Sequence, residues 1–196
     1  MFRIIILILI SLISLNTIAQ NSIIEYVNNY LDIKDTFRDE ILYVSIKEQK
    51  LYHIQNDSIV KEYIISSSAY GIGSKSGSNK TPIGLHKIAK KYGEKTPVNG
   101  RMIGRVFYGD IATIYTDDTK SKTDDVTSRI LWLEGMEKEK NKGKGIDSFN
   151  RYIYIHGTSE EGMLGKPASH GCIRMKNKEV IDLYKLVEVG TLVLIL

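Results

Sequence analysis

The chain has one cysteine in 196 residues, Cys172, set in Ser169-His170-Gly171-Cys172-Ile173-Arg174-Met175. A thiol attacks as the thiolate, and neighbouring cations favour that form. Here a histidine stands two positions before the sulfur and an arginine two positions after it. A second histidine closes the apolar run of Arg151-Tyr152-Ile153-Tyr154-Ile155-His156-Gly157-Thr158. A cysteine with a histidine partner elsewhere in the chain is the pattern of a nucleophilic enzyme. His156 would take the thiol proton, Cys172 would attack an acyl carbon to leave a thioester, and the imidazole would return the proton to the leaving amine. The backbone N–H groups of Cys172 and Gly171 are the simplest donors for the oxyanion.

Strands must position these groups. On an extended segment alternate side chains share a face. That puts His170, Cys172 and Arg174 on one side, with Ile173 and Met175 turned into packing. It likewise groups Tyr152, Tyr154 and His156 against Ile153 and Ile155. Adjacent strands bring Cβ atoms to roughly 4.5–5.5 Å, close enough for a thiol–imidazole pair. His170 is either a rival base or a holder of its own loop. Arg174 either clamps a substrate carboxylate or pairs with an acidic side chain. Ser169 and Tyr154 join Arg174 as the residues expected to face substrate. An inert buried thiol is the bland alternative. A zinc site from His156, His170 and Cys172 is another, but no Cys-x-x-Cys or His-x-x-x-His element supports it, and neither metal nor cofactor is expected.

Periodicity predicts an amphipathic helix or spacer over 22–34. Alternation then predicts strands at Ile41–Ile46, Lys50–Ile54 and Ile59–Ser68, forming an antiparallel meander. Gly71–Gly84 is rich in glycine and lysine but lacks the phosphate-loop spacing. It reads as a flexible turn into a strand at Ile83–Ile88. Further strands are expected at Ile103–Tyr108, Ile111–Tyr115 and Arg129–Leu133, with polar surface excursions at Thr116–Thr127 and Glu134–Asn150. Asn177 is expected to cap a helix over Lys178–Val187, with Val180, Ile181, Tyr184 and Val187 buried. Thr191–Leu196 reads as a closing strand. His53 and His86 are expected to be structural or exposed. The fold class is one α+β, mostly-β domain.

Met1-Phe2-Arg3, the apolar run Ile4–Leu15 and small residues at Thr17 and Ala19 have the form of an export signal cut after Ala19. The apolar core is shorter than the roughly 20 residues of a membrane span, so the only membrane link expected is an uncleaved signal anchor. Loss of Arg3 takes the formal charge from +4 to +3, a mild basicity compatible with an acidic or mixed-charge substrate. No basic stripe suggests nucleic acid. A lone thiol in an exported chain cannot form an internal disulfide and calls for another role. The expected parts are a signal peptide at 1–19, a helix or spacer at 20–38 and a catalytic domain at 39–196, exported to the periplasm or cell wall.

His156-Gly157-Thr158, followed by Ser169-His170-Gly171-Cys172-Ile173-Arg174-Met175, resembles the signature of the L,D-transpeptidases, the YkuD-domain family. Thr81-Pro82-Ile83-Gly84 is similar to that family's Thr-Pro-x-Gly stretch, and Val189-Gly190-Thr191 to its C-terminal end. The resemblance implies a β-sandwich-like catalytic domain with Cys172 as nucleophile, His156 as base and the Gly157 carbonyl orienting the imidazole. It implies peptidoglycan stem tetrapeptides as substrate, cleaved before the terminal D-alanine. The acyl group then passes to another stem, a protein lysine, a D-amino acid or water. It also implies that penems and carbapenems acylate Cys172.

Overall fold

In a computed structural model of the chain, residues 20–33, 36 and 39–196 are described; the expected signal peptide at 1–19 lies outside them. The continuous apolar run at Ile41-Leu42-Tyr43-Val44 is buried on both faces, which explains its composition. It forms β1 (Glu40–Ser45), followed by β2 (Lys50–Gln55) and β3 (Ser58–Ser66), paired antiparallel as the alternation predicts. Leu42 and Val44 enter the main core, whereas Ile41 and Tyr43 face a second cluster. That cluster is covered by α1, residues 20–33, through Val27 and Leu31.

The remaining strands are β4 (Gly84–Tyr92), β5 (Gly100–Ile103), β6 (Val106–Ile111), β7 (Val126–Gly135), β8 (Tyr154–Thr158), β9 (Ile173–Met175) and β10 (Leu192–Ile195). Their order is β4-β10-β1-β2-β3-β9-β8-β7-β5-β6, and β4 also pairs with β7. The sandwich-like domain is therefore one sheet closed on itself, with the β5–β6 hairpin hanging from β7. After β9 comes α2 (Asn177–Leu186), whose Val180, Leu183 and Tyr184 enter the main core.

Several expectations need correction. The strand expected over Ile103–Tyr108 is broken by a hairpin turn at Gly104-Arg105, both with positive φ. Ile111–Tyr115 is not a strand beyond Ile111. Asn177 makes no N-terminal cap; it is buried, taking the hydroxyls of Thr127 and Ser128 on Oδ1 and giving Nδ2 to the Thr158 carbonyl. Ile181 is only half-buried, and Leu183 takes the core position instead. The Gly71–Gly84 segment is not a loose turn: Thr81 N–H donates to Gly71 O at 3.0 Å and Gly73 N–H to Thr81 O at 2.8 Å. Nor is 134–150 only a solvated excursion, because Asn141 and Ser148 are fully buried.

Candidate active site

β8 and β9 run parallel, with Ile155 opposite Ile173 and His156 opposite Arg174. Ile155, Ile173 and Met175 face the main core. The opposite face carries the chemistry. Just before β9, Cys172 is half-buried and packs against the cluster of Met102, Ile130, Trp132 and Tyr154. Its Sγ accepts from Tyr154 N–H at 3.4 Å and lies 3.4 Å from the Tyr152 carbonyl. Cys172 thus lies diagonally from His156, two positions back from the residue opposite it. Diagonal neighbours on a sheet remain within reach of long side chains. The thiol here is turned to the backbone of 152–154, and no hydrogen bond joins it to the imidazole among the described residues.

His156 is 2% exposed, and its Nδ1 lies 2.7 Å from the Gly157 carbonyl. A carbonyl can only accept, so Nδ1 carries the proton and Nε2 keeps its lone pair, the arrangement a general base needs. Gly157 has no room for a side chain: a Cβ there would lie 2.7 Å from Asn177 Oδ1 and 2.8 Å from Thr127 O.

Burial lowers the His156 pKa, against the opposing pull of Asp124 and the Gly157 carbonyl. Burial pushes the Cys172 thiol up to about 12; Asp124 adds to this, while the Tyr154 N–H, Arg174 and Arg151 oppose it. Both partners are neutral at rest. The thiolate-favouring surroundings expected from His170 and Arg174 do not form, because a carboxylate occupies both.

That carboxylate is Asp124, in the polar stretch before β7. His170 Nδ1 lies 2.6 Å from Asp124 Oδ2, and Arg174 Nη2 lies 2.5 Å from Oδ1. Arg174 Nη1 donates to Glu160 Oε2 at 2.7 Å. Burial pushes Asp124 up, but Arg174, His156 and His170 outweigh it and hold the carboxyl below its usual range. Of the two roles expected for Arg174, the structure shows the acidic pair. At 1% exposure, with Nη1 on Glu160 and Nη2 on Asp124, Arg174 is held as a buried brace. His170 is exposed and held by Asp124, with its ring centroid 5.7 Å from that of Tyr70. Nothing in the spacing of Thr116–Thr127 singles out Asp124 or links it to Glu160; the chain must fold to bring them together.

The loop before Cys172 is braced internally. Ser169 is fully buried, its hydroxyl donating to Cys172 O at 2.6 Å and accepting from Gly171 N–H at 3.2 Å. Its expected role facing substrate gives way to this brace. The Gly171 N–H is likewise engaged, and of the expected oxyanion pair Cys172 N–H is the member with no hydrogen-bond partner among the described residues. Thr81 is buried, with Oγ1 donating to Gly171 O at 3.0 Å and accepting from Ser68 N–H at 3.0 Å. The Thr-Pro-x-Gly stretch therefore braces the backbone beside Cys172. Tyr154, also expected to face substrate, is 7% exposed, with its ring edge-on to Trp132 and its phenol accepting from Arg105 at 3.1 Å.

A cleft of about 480 Å³ lies along Tyr70, Lys122, Asp124, Glu160, His170 and Arg174. A larger one of about 540 Å³, between Lys91, Arg129 and Tyr184, contains none of these groups. His53 and His86 are structural: the first bonds Glu40, and the second spans Gly84 O and Ser148 Oγ. Among the described residues no three metal-type donors converge.

The model of the YkuD L,D-transpeptidase catalytic domain matches residues 39–195. The Bacillus subtilis protein YqjB is 52% identical over 52 residues, covering 26% of this chain and 28% of that protein. YkuD of the same organism is 54% identical over 65 residues, covering 31% and 40%. The matched segments thus span less than half of either relative. Among solved structures, the L,D-transpeptidase from Xylanimonas cellulosilytica aligns with a TM-score of 0.50 at 17% identity, over 82% of this chain and 62% of that one. L,D-transpeptidase 3 from Mycobacterium tuberculosis aligns with a TM-score of 0.50 at 15% identity, over 81% and 61%. At those identities the likeness is one of fold.

Proposed function

The chain belongs to the YkuD L,D-transpeptidase catalytic-domain family, and from that premise we propose that it is an exported cysteine acyltransferase acting on peptidoglycan stem tetrapeptides. The observation that carries this reading is the tautomer of His156. Its Nδ1–H is held on the Gly157 carbonyl, and its Nε2 lone pair is left for a thiol one strand away.

With substrate bound, Cys172 Sγ leaves its contacts at 152–154 and gives its proton to His156 Nε2. The sulfur attacks the carbonyl carbon of the third residue. The oxyanion that forms accepts from Cys172 N–H. Collapse breaks the C–N bond, and the imidazolium protonates the departing D-alanine amine, leaving a thioester. An acceptor amine then adds to the thioester and passes a proton to Nε2, and the thiol departs with that proton. Because thiol and imidazole are neutral at rest, the ion pair forms during attack rather than before it. The Asp124 carboxylate, which pulls the His156 pKa upward, stabilises the imidazolium at that moment.

Acceptors of this chemistry are another stem, a protein lysine or a free D-amino acid; water would make the reaction a carboxypeptidase. The signal-like run at 4–15 supports action outside the cytoplasm. Incubation with disaccharide-tetrapeptide, followed by mass spectrometry, tests the proposal. D-alanine release with a crosslinked dimer, or with an adduct of an added amine, is expected. Release without any amine adduct would indicate a carboxypeptidase, and no release by folded protein would overturn the enzyme reading.

A further inference from the structure

We propose that Arg105, separated from Cys172 by Tyr154, binds a carboxylate of the donor peptide; the identity of that peptide rests on the reading above. Arg105 is at the tip of the β5–β6 hairpin, in a two-residue turn with φ of 57° at Gly104 and 72° at Arg105. Such a turn favours Asn-Gly, and a long side chain in the left-handed region costs free energy that functional sites commonly store. The turn places the guanidinium 4.7 Å from the Trp132 ring centroid and within 5.6 Å and 5.8 Å of the Tyr152 and Tyr92 centroids. Arg105 Nη1 donates to the Tyr154 phenol at 3.1 Å, and Tyr154 N–H donates to Cys172 Sγ at 3.4 Å. Tyr154 therefore touches the guanidinium with its phenol and the Cys172 sulfur with its backbone N–H, one residue standing between the two groups.

Each of the other described arginines holds an acidic or a carbonyl partner. Arg101 contacts Asp110 and Asp125, Arg129 gives to the Thr96 and Ser128 carbonyls, Arg151 to those of Gly73 and Lys80, and Arg174 contacts Asp124 and Glu160. Among the described arginines Arg105 alone has neither an acidic nor a carbonyl partner. Its single polar contact is a neutral phenol. The rest of its donor fork matches a carboxylate, and the aromatic stack fixes it before ligand arrives, which lowers the ordering cost of binding. A stem tetrapeptide offers a carboxylate on its terminal D-residue and, where the third residue is a diamino diacid, a second on that side chain.

The test uses full-length protein carrying Cys172→Ala and three synthetic tetrapeptides: the free acid, its C-terminal amide and its side-chain amide. Calorimetry reads binding without turnover. Arg105→Gln should weaken the free acid roughly 10- to 100-fold, the range for losing a charged hydrogen bond. It should also erase the discrimination between the acid and one amide. Weaker binding of the C-terminal amide identifies the terminal carboxylate; weaker binding of the side-chain amide identifies the diamino acid. Arg105→Lys should retain part of the affinity, and Lys90→Gln, which removes another cation near the same rings, should retain nearly all. Equal binding of all three peptides, or of the acid by Arg105→Gln, would overturn the proposal. Should Arg105→Gln not fold, the amide comparison and Arg105→Lys decide. Turnover by the wild type is scored separately. Carboxylate-dependent binding without D-alanine release would reject the transpeptidase reading and leave the role of Arg105 standing.

Discussion

Arg174 Nη1 donates to Glu160 Oε2 at 2.7 Å, with the two side chains 1% and 4% exposed. A guanidinium this buried is tolerated only because it is paired. Removing one member leaves an uncompensated buried charge, at a cost of about 3–5 kcal/mol. Asp124, which stays beside Arg174, brings the expected loss for Glu160→Gln to about 3 kcal/mol by urea denaturation. A loss under about 1 kcal/mol would show that the pair is dispensable.

The half-buried, protonated thiol sets the pH response of the free enzyme. With the Cys172 pKa pushed up to about 12, thiolate is scarce at neutral pH. Alkylation by iodoacetamide should therefore rise about tenfold per pH unit from 6 to 10, with no plateau. A plateau near neutrality would reveal a preformed thiolate–imidazolium pair. Cys172→Ala should abolish both alkylation and turnover.

Gly157→Ala tests the orienting carbonyl without touching the imidazole itself. The new methyl would press on Thr127 O and Asn177 Oδ1, so the backbone at 157 must shift and carry its carbonyl off His156 Nδ1. Turnover should slow by roughly 100-fold or more, within the range of a misplaced general base. Unchanged turnover in a protein that melts normally would remove Gly157 from the mechanism.

Thr81→Val keeps the shape but deletes the bonds to Gly171 O and Ser68 N. Leaving those buried groups unpaired costs roughly 1–3 kcal/mol. Activity should fall together with stability, because the freed carbonyl belongs to the loop presenting Cys172, and Thr81→Ser should restore both. Full activity in Thr81→Val would show that the brace is unnecessary.

Acid should destabilise the fold through His86. Burial lowers its pKa from 6.5 to about 4. The unfolded chain therefore binds a proton at a higher pH than the folded one, and stability falls as pH drops from 6.5 towards 4. The expected loss is about 3 kcal/mol. His156, also lowered by burial, contributes with the same sign. Melting curves at pH 7 and pH 4.5 should show the decline, and His86→Gln should flatten it; an equally steep decline in His86→Gln would assign the effect elsewhere.

The amino-acid order determines by itself what is local and periodic. Alternation at Ile41–Val44 and Lys50–Ile54 makes a meander, the pairing of apolar Ile155 and Ile173 with His156 and Cys172 sets which groups share a face, and the lone cysteine with its histidine points to the chemistry proposed above. Those signals have a period of two and need no knowledge of distant residues. Only the tertiary structure decided who neutralises whom. Asp124 reaches His170 and Arg174 across 46 and 50 positions, and Glu160 turns Arg174 from a substrate clamp into a buried brace. The hairpin within Ile103–Tyr108 swings Arg105 over Trp132 in the same way. Charge pairing depends on distance in space, and the pairing of β7 with β8 and of β8 with β9 sets those distances where no spacing in the chain records them.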